Sequence, residues 1–286
     1  MKVHLDCFPC FMKQAIIALR LGTNDESLQK EILKSTCEAI QMADTQKPPA
    51  YTTTFIHRRI RQMLGKDPFE DIKSEYNQVA LRLYPSLKTV VEKSADPLWT
   101  SLRLAIAGNV IDFGIFTSVD VEGTVRRSLN SQLAVDDYPA LSQALSETDE
   151  ILYLTDNAGE IVFDRILIET LMSRGKNITA VVKGSPVIND TTMTDAGESG
   201  LRDVCTVIDN GSEAVGTILA WTSSEFRETF QHATLIISKG QANFETLAGI
   251  EKNMFFLFQS KCDVVSQELC LSPGAMLLKK SSLPAG

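Results

Sequence analysis

The sequence predicts an α/β layered domain that follows an all-helical N-terminal region. Two features of the chain carry this prediction. Up to about residue 150, apolar residues recur at spacings of three and four, which is the period of an amphipathic helix. After residue 150, short β-branched runs alternate with helical stretches. Strands that are apolar on both faces and alternate with helices are typical of a parallel sheet covered on both sides.

Helices in the N-terminal region are indicated by apolar spacing and by the Gly and Pro residues between them. The apolar residues of the stretch 32–40 share one helical face. A helix is predicted to start at Asp67, because Asp suits the cap and Pro68 suits the first helical position. His57 opens the charged stretch 57–61, for which a solvated helix face is the favoured interpretation.

The second half of the chain carries five predicted strands. Each is a short run of β-branched, leucine or aromatic residues, and most are followed by a helical stretch, for example near 160–174 and 190–199. The strands are residues 151–155, 178–182, 204–208, 234–238 and 254–258.

Composition excludes several classes of function. The 286-residue chain has a net charge of −8, which argues against generic nucleic-acid binding because such proteins usually carry a basic face. No apolar run approaches the roughly 20 residues that span a bilayer. Two cysteines and an acid stand among the first ten residues, where a secretion signal would be apolar. We therefore expect a cytoplasmic protein without a membrane or nucleic-acid partner.

Polar side chains follow three of the predicted strands at the point where each strand ends. The strand 151–155 runs into Asp156-Asn157-Ala158-Gly159-Glu160, and 178–182 runs into Lys183 and then Asn189-Asp190. The strand 234–238 is followed by Lys239-Gly240. Because ligands of open α/β sheets bind beyond the carboxyl ends of the strands, we expect these side chains to meet at one edge.

The chemistry of this set suits a hard divalent cation. Carboxylate and amide oxygens favour Mg²⁺ or Mn²⁺ over zinc, and Asp156, Asn157 and Asp190 supply three such ligands. An ion there can polarise a phosphoryl group. Lys239, with the backbone N–H groups of its Gly-flanked turn, is placed to hold a phosphate.

Each part of this set also has a structural interpretation. Asp156 and Asn157 form a good turn sequence, and either residue can cap the next helix. This motif alone therefore favours a structural turn and a metal site equally. Asn189-Asp190 alone favours a helix cap. Their occurrence at successive strand ends favours the functional interpretation.

A further polar segment lies upstream, in residues 107–114. Two glycines surround Asn109 and Asp112 within an otherwise apolar stretch. One interpretation is a bend between helices with polar caps, and the other is a loop that supplies Asn109 and Asp112 to a substrate. The spacing alone favours neither.

Together these segments resemble the damage-control phosphatase family, which is related to the acidic-residue methyltransferase-like proteins. The matching motifs span nearly the whole chain in order, and the leading CxxC resembles the prokaryotic branch. They are Cys7-Phe8-Pro9-Cys10, Asp67-Pro68-Phe69, residues 108–114, Asp156 to Glu160, residues 183–190 and residues 238–245.

The resemblance implies a three-layer α/β/α sandwich with a mostly parallel, Rossmann-like sheet in residues 96–286, behind a helical subdomain in residues 1–95. It also implies metal-dependent hydrolysis of small phosphorylated metabolites such as sugar phosphates. The ion would be Mn²⁺ or Mg²⁺, with Co²⁺ or Ni²⁺ as alternatives. By position, the implied metal ligands are Asp156, Asn157 and Asp190, and the implied substrate or phosphate contacts are Asn109, Asp112, Glu160, Lys183, Lys239 and Gly240.

Two other functions are weighed. A nucleotide- or metabolite-binding protein without catalysis fits the fold class, but the first strand–helix turn lacks the GxGxxG of a dinucleotide site. Methyl transfer is suggested only by the name of the relatives. The sequence leaves open the substrate, the oligomeric state and whether Asp156 is a ligand only or also the nucleophile.

The cysteines Cys7, Cys10 and Cys262 form a separate group of candidates. They suit a second metal site, a redox pair or simple packing, and a structural zinc would need four ligands. None of the three histidines has neighbours in the sequence that suggest a catalytic base.

Overall fold

The computed structural model describes residues 1–110 and 121–281. Five helices come first: α1 Cys7–Gly22, α2 Glu26–Gln41, α3 Pro49–Leu64, α4 Glu70–Glu92 and α5 Pro97–Val110. The later helices are α6 Val121–Asn130, α7 Tyr138–Glu147, α8 Glu160–Ser173, α9 Met193–Glu198, α10 Ser224–His232, α11 Gln241–Leu247 and α12 Asp263–Glu268. The strands are β1 Val135–Asp136, β2 Glu150–Leu154, β3 Asn177–Val182, β4 Thr206–Asp209, β5 Ile236–Lys239, β6 Met254–Gln259 and β7 Met276–Lys280.

The seven strands form one sheet in the order β1-β7-β6-β5-β2-β3-β4. All neighbouring strands are parallel except β6 and β7, which are antiparallel. The mostly parallel sheet that the sequence predicts is therefore confirmed. The parallel strands β2, β3 and β5 end at the same edge, which is the edge that carries the candidate site.

Helices cover both faces of the sheet. Alternate residues of a strand point to opposite faces, and neighbouring residues of β2 accordingly enter different cores. Tyr153 packs in the core that contains residues of α5 and α8, whereas Leu152 packs in the core that contains Phe226 of α10 and Phe244 of α11. This arrangement confirms the three-layer α/β/α architecture.

The first three helices share a core that includes Phe11, Ile32 and Ile60, and Val264 of α12 packs in it as well. Helix α4 differs, because its apolar residues share the core of α8 and the sheet. The boundary between residues 95 and 96 stays a prediction. None of the described helices has both the length and the apolar character needed to cross a membrane.

Two local expectations are wrong. Helix α4 begins at Glu70 and not at Asp67, whose carboxylate instead accepts a hydrogen bond from the Phe69 N–H at 2.9 Å. His57 lies on the buried side of α3 and is 2% exposed, although its charged neighbours predict a solvated face. Burial and the nearby positive charge of Arg61 lower the pKa of His57 to about 3.

Candidate active site

Hydrogen bonds between two loops bring the predicted metal ligands together. Asp156 and Asn157 lie just beyond β2, after Thr155, and Asp190 lies in the loop after β3. The two loops are joined because Ala158 N donates to Asn189 O at 2.9 Å and Thr191 N donates to the main-chain oxygen of Asp156 at 2.8 Å. The convergence that the sequence predicts for these strand ends is therefore present in the structure.

The turn after β2 is also held from the N-terminal side by a residue that sequence reasoning missed. Gly159 has a φ of +77° and precedes α8. Its N–H donates to the side-chain oxygen of Asn77 at 2.7 Å, and Asn77, on α4, is fully buried. The amide group of Asn77 in turn donates to Asp195 at 3.0 Å and to Glu198 at 2.9 Å.

Two asparagine amides orient the carboxylates of the site. Asn109 Nδ2 lies 3.1 Å from Asp156 Oδ2 and 2.9 Å from Glu160 Oε2. Asn157 Nδ2 lies 2.6 Å from Asp156 Oδ2 and 3.2 Å from Glu160 Oε2. Because the side-chain amide protons of Asn157 are directed at carboxylates, its side-chain oxygen is the atom available to a cation.

The electrostatic environment of Asp156 and Asp190 suits a bound cation. Burial, together with Glu160 and Asp190, raises the pKa of Asp156 well above its usual value. Burial also raises the pKa of Asp190, although the Lys183 ammonium lies 3.4 Å from its Oδ2 atom and acts in the opposite direction. Two buried carboxylates that share one cavity repel each other, and a bound cation would relieve this repulsion.

The donor set of the site is two carboxylates and one amide oxygen. Nowhere in residues 1–110 and 121–281 do three His, Cys, Asp or Glu side chains group so as to hold a metal ion. Asp156, Asn157 and Asp190 offer only oxygen donors, which suit a hard cation that takes further oxygen ligands from water or substrate.

Lys239 occupies a different place from the one predicted. It is fully buried, and its ammonium group donates to Ala105 O at 2.9 Å, to Glu160 at 2.5 Å and to Asp164 at 2.5 Å. An ammonium has three protons, so these contacts use its donors. In this structure Lys239 binds carboxylates within the protein, which corrects the expectation that it contacts phosphate directly.

The charge of Lys239 controls the buried acids of α8. Burial alone raises the pKa of Glu160, but Lys239 and Lys261 outweigh it and the net shift is downward. Asp164 has a pKa of about 6, because burial raises it more than Lys239 lowers it. The Tyr153 hydroxyl also donates to Asp164 at 2.8 Å.

Lys183 and Gly240 also have partners within the protein. Lys183 Nζ lies 3.4 Å from Asp190 Oδ2 and donates to Gly216 O. Gly240 was predicted to contact phosphate, but its N–H donates to Leu257 O at 3.1 Å and is therefore not free to do so. The contribution of Gly240 is steric: its φ is +83°, and an added Cβ would collide with the Asp156 carboxylate.

Asn109 lies in the last turn of α5 rather than in a loop. It is buried, and its side-chain oxygen accepts a hydrogen bond from Gln259 N at 3.2 Å. Asp112, its predicted companion, lies outside the described residues. The sequence left two interpretations of this segment open. The structure places Asn109 against the carboxylates of the site.

A cavity of about 500 Å³ opens onto Asp156, Asn157 and Asp190. Residues of the helical N-terminal region also line it, including Phe11 of α1 and Thr53 of α3. This volume is in the range of small-molecule sites.

The three candidate cysteines line this same cavity. All are free thiols, and burial raises the pKa of both Cys7 and Cys10. Each sulfur accepts one N–H hydrogen bond, Cys262 from Gln241 at 3.5 Å. A metal site on Cys7, Cys10 and Cys262 has no support in the described part of the chain, and the redox interpretation stays a prediction.

Sequence reasoning also missed Asp164 and Lys261. Asp164 follows Glu160 by one helical turn, so the pair shares a face of α8, and this spacing was the available signal. Lys261 follows β6 and lines the cavity. Its signal was the rule applied to the other strands, namely that residues just beyond a carboxyl end face the ligand.

Two curated relatives align with almost the whole chain. A damage-control phosphatase of Archaeoglobus fulgidus is 33% identical over 287 residues, which cover 98% of this chain and 99% of the relative. A damage-control phosphatase of Pyrococcus horikoshii is 32% identical over 286 residues, with 98% and 99% covered. Both relatives support phosphatase activity.

The fold agrees with a solved structure as well. The crystal structure of a DUF89 family protein from Pyrococcus horikoshii superposes with a TM-score of 0.89 at 32% identity, covering 99% of this chain and 100% of that chain. The damage-control phosphatase ARMT1-like domain matches residues 3–277. The chain therefore belongs to the ARMT1-like damage-control phosphatase family.

Proposed function

We propose that this protein is a metal-dependent phosphatase that hydrolyses small phosphorylated metabolites, with a divalent ion held by Asp156, Asn157 and Asp190. The observation that carries the proposal is that Asp156 and Asp190, two buried carboxylates from the loops after β2 and β3, line the same cavity together with Asn157. The cavity of about 500 Å³ favours a small substrate.

A bound Mn²⁺ or Mg²⁺, or Co²⁺ or Ni²⁺ as a substitute, would neutralise and polarise the phosphoryl oxygens. The residues of the chain have positioning and electrostatic roles. The amides of Asn109 and Asn157 fix the orientation of the Asp156 carboxylate. Lys239 holds Glu160 ionised, so that Glu160 can accept hydrogen bonds from both amides.

A phosphatase assay tests this proposal. With an aryl phosphate as substrate, we expect chelation to abolish activity and Mn²⁺, Mg²⁺, Co²⁺ or Ni²⁺ to restore it. Asp156→Ala and Asp190→Ala should lower kcat/KM by at least about a hundredfold, because each removes a ligand charge at the reacting phosphate. Glu31→Ala, which removes an exposed carboxylate from α2, is the control and should retain activity.

Full activity after chelation, or in either aspartate variant, would overturn the proposed site. If the assay succeeds, a panel of phosphorylated metabolites identifies the substrate class as the one hydrolysed with the highest kcat/KM relative to the aryl phosphate.

A further inference from the structure

One buried ammonium group serves two buried carboxylates next to the proposed metal ligands. Lys239 donates to Glu160 and to Asp164, in each case at 2.5 Å, and its third contact is Ala105 O at 2.9 Å. All three charged side chains are buried. A single carboxylate is enough to neutralise Lys239, so the second adds an excess negative charge in the protein interior. Such a charge does not stabilise a fold.

The two carboxylates have different places in the hydrogen-bond network. Glu160 accepts a hydrogen bond from the Asn157 side-chain amide, which also contacts Asp156. Asp164 lies one helical turn further along α8 and accepts a hydrogen bond from the Tyr153 hydroxyl at 2.8 Å. The net effect of its surroundings lowers the pKa of Glu160 and raises that of Asp164. Glu160 is therefore the well-compensated partner of Lys239, and Asp164 is the carboxylate in excess.

The excess charge has a use beside a cation site. Lys239 is linked to Asp156 through Glu160 and the Asn157 amide. An ammonium so close to a cation site repels the incoming ion unless its charge is neutralised. Four buried carboxylates share two buried ammonium groups in this cluster. The carboxylates are those of Asp156, Glu160, Asp164 and Asp190, and the ammonium groups are those of Lys183 and Lys239.

We propose that Asp164 is a positioning residue of the metal site and acts through Lys239. Its carboxylate neutralises part of the Lys239 charge, so that Glu160 stays available to the asparagine amides and the divalent ion enters a negative cluster. This inference rests on the proposed metal-dependent function and deepens it, because it assigns a role in ion binding to a carboxylate outside the ligand set.

The charge of Asp164 changes within the pH range of ordinary binding assays. Burial, opposed by Lys239, raises its pKa to about 6. The titratable groups that face it are Lys239 of β5, Glu160 on its own helix and Tyr153 of β2. Well above this pKa the carboxylate is ionised and strengthens ion binding, and well below it the carboxyl is neutral and does not. A purely structural role would give no such dependence.

Titration of Mn²⁺ into the metal-free protein at pH 8 and at pH 5 tests this role. Asp164→Asn removes the charge and keeps the shape, and it should weaken Mn²⁺ binding about tenfold at pH 8. At pH 5 the variant and wild type should agree within about twofold, because Asp164 is then largely neutral in wild type as well. Comparison at the same pH cancels the titration of Asp156 and Asp190, which both proteins contain.

Two matched variants control for effects other than the charge of Asp164. Tyr153→Phe disturbs the same hydrogen-bond network without changing a charge. Glu169→Gln removes a carboxylate from the same helix, where Glu169 pairs with Lys88 and Arg165. Both should bind Mn²⁺ within about twofold of wild type at pH 8. Asp164→Ser also removes the charge and leaves room for water, so it should repeat the loss if Asp164→Asn folds poorly.

The outcomes separate this inference from the proposed function. Equal Mn²⁺ affinity of wild type and Asp164→Asn at pH 8 overturns the inference and leaves the proposed function intact. An equal loss at both pH values, an equal loss in Tyr153→Phe, or failure of both Asp164 variants to fold would make Asp164 a structural residue and overturn the inference as well. A wild-type protein that binds no Mn²⁺ at pH 8 refutes the metal-dependent function together with this inference.

Discussion

Asp156 and Glu160 are both buried in the same cluster, yet their carboxylates have different partners. Glu160 pairs with the Lys239 ammonium at 2.5 Å, and its pKa is lowered. Asp156 has only amide donors within hydrogen-bond distance, and its pKa is raised well above the usual value, chiefly by burial. The residue that still lacks a counter-charge is thus the one that faces the cavity, which is the arrangement expected of a cation ligand.

Replacement of Gly240 tests whether its close approach to the Asp156 carboxylate matters for activity. Gly240→Ala adds a methyl group against the Asp156 carboxylate at a φ of +83°. Displacement of that carboxylate should lower kcat/KM on an aryl phosphate by at least about tenfold, and the positive φ should cost about 1 kcal/mol in urea unfolding.

Gly65→Ala is the matched control, because Gly65 has a φ of +70° and open space around its Cα atom. It should show the stability cost without the loss of activity. If Gly240→Ala were as active as Gly65→Ala, the close approach of Gly240 to Asp156 would have no role in the site.

The sequence predicted the placement of a site residue best where that residue lies just beyond the carboxyl end of a strand. Asp156, Asn157 and Asp190 were found because the ends of neighbouring parallel strands meet at one edge. The burial of Lys239 was not predictable in this way. Two of its partners, Ala105 O and Asp164, come from α5 and α8, and only tertiary packing shows that these helices meet at this point.

At the scale of elements, helix α4 connects the N-terminal region to the turn that carries the site. Asn77 accepts a hydrogen bond from the Gly159 N–H and donates to Asp195 and Glu198, so one side chain links α4 to the turn after β2 and to helix α9. The orientation of the turn 156–159 therefore depends on the packing of α4 against α8.

Replacement of Asn77 tests this connection. Asn77→Ala leaves the buried Gly159 N–H without its partner, which should destabilise the protein by roughly 1–3 kcal/mol. The turn would also lose its orientation, so kcat/KM should fall by about tenfold or more. Urea unfolding and the aryl phosphate assay measure the two effects.

Ser74→Ala serves as the control on the same helix, since Ser74 contacts Glu198 at 3.3 Å but not the turn. It should leave kcat/KM within about twofold of wild type. Equal activities for Asn77→Ala and Ser74→Ala would show that α4 does not position the site.

The sequence predicted those strands whose run of apolar residues is long enough to recognise. The strands β2, β3 and β5 fall within one to two residues of the predicted runs. β1 was missed because two residues carry no periodicity, and β7 was missed because Met276–Lys280 has no alternating apolar and polar pattern. Both lie at the end of the sheet away from Asp156, so their omission did not affect the site.

At the scale of the whole molecule, the buried His57 makes stability depend on pH. Its folded pKa of about 3 is below the usual 6.5, so the unfolded chain takes up this proton first as pH falls. The stabilising contribution is complete above pH 6.5 and is lost as pH falls toward 3. Between pH 7 and pH 5 the loss should amount to about 2 kcal/mol.

Urea unfolding at these two pH values measures the effect. The difference in free energy of unfolding between pH 7 and pH 5 should be about 2 kcal/mol smaller in His57→Gln than in wild type. His232→Gln, at an exposed histidine of α10, should retain the wild-type difference. The same pH dependence in all three proteins would contradict the buried, neutral state of His57.

The overall architecture was predictable because the alternation of strands and helices spans the second half of the chain. The orientation of individual side chains in the N-terminal region was not. His57 stands among arginines in the sequence, yet Arg58 and Arg61 turn toward Glu213 while the imidazole packs 5.9 Å from the Phe69 ring. Charged neighbours in sequence therefore did not indicate which face of α3 is buried.

The proposed phosphatase activity depends on one divalent ion held by Asp156, Asn157 and Asp190. Titration of Mn²⁺ into the metal-free protein, followed by the electron paramagnetic resonance signal of the free ion, measures this directly. We expect one site per chain in wild type and an affinity at least about tenfold weaker in Asp190→Asn, which keeps the shape of the side chain but removes its charge. Unchanged Mn²⁺ affinity in Asp190→Asn and in Asp156→Asn would contradict it.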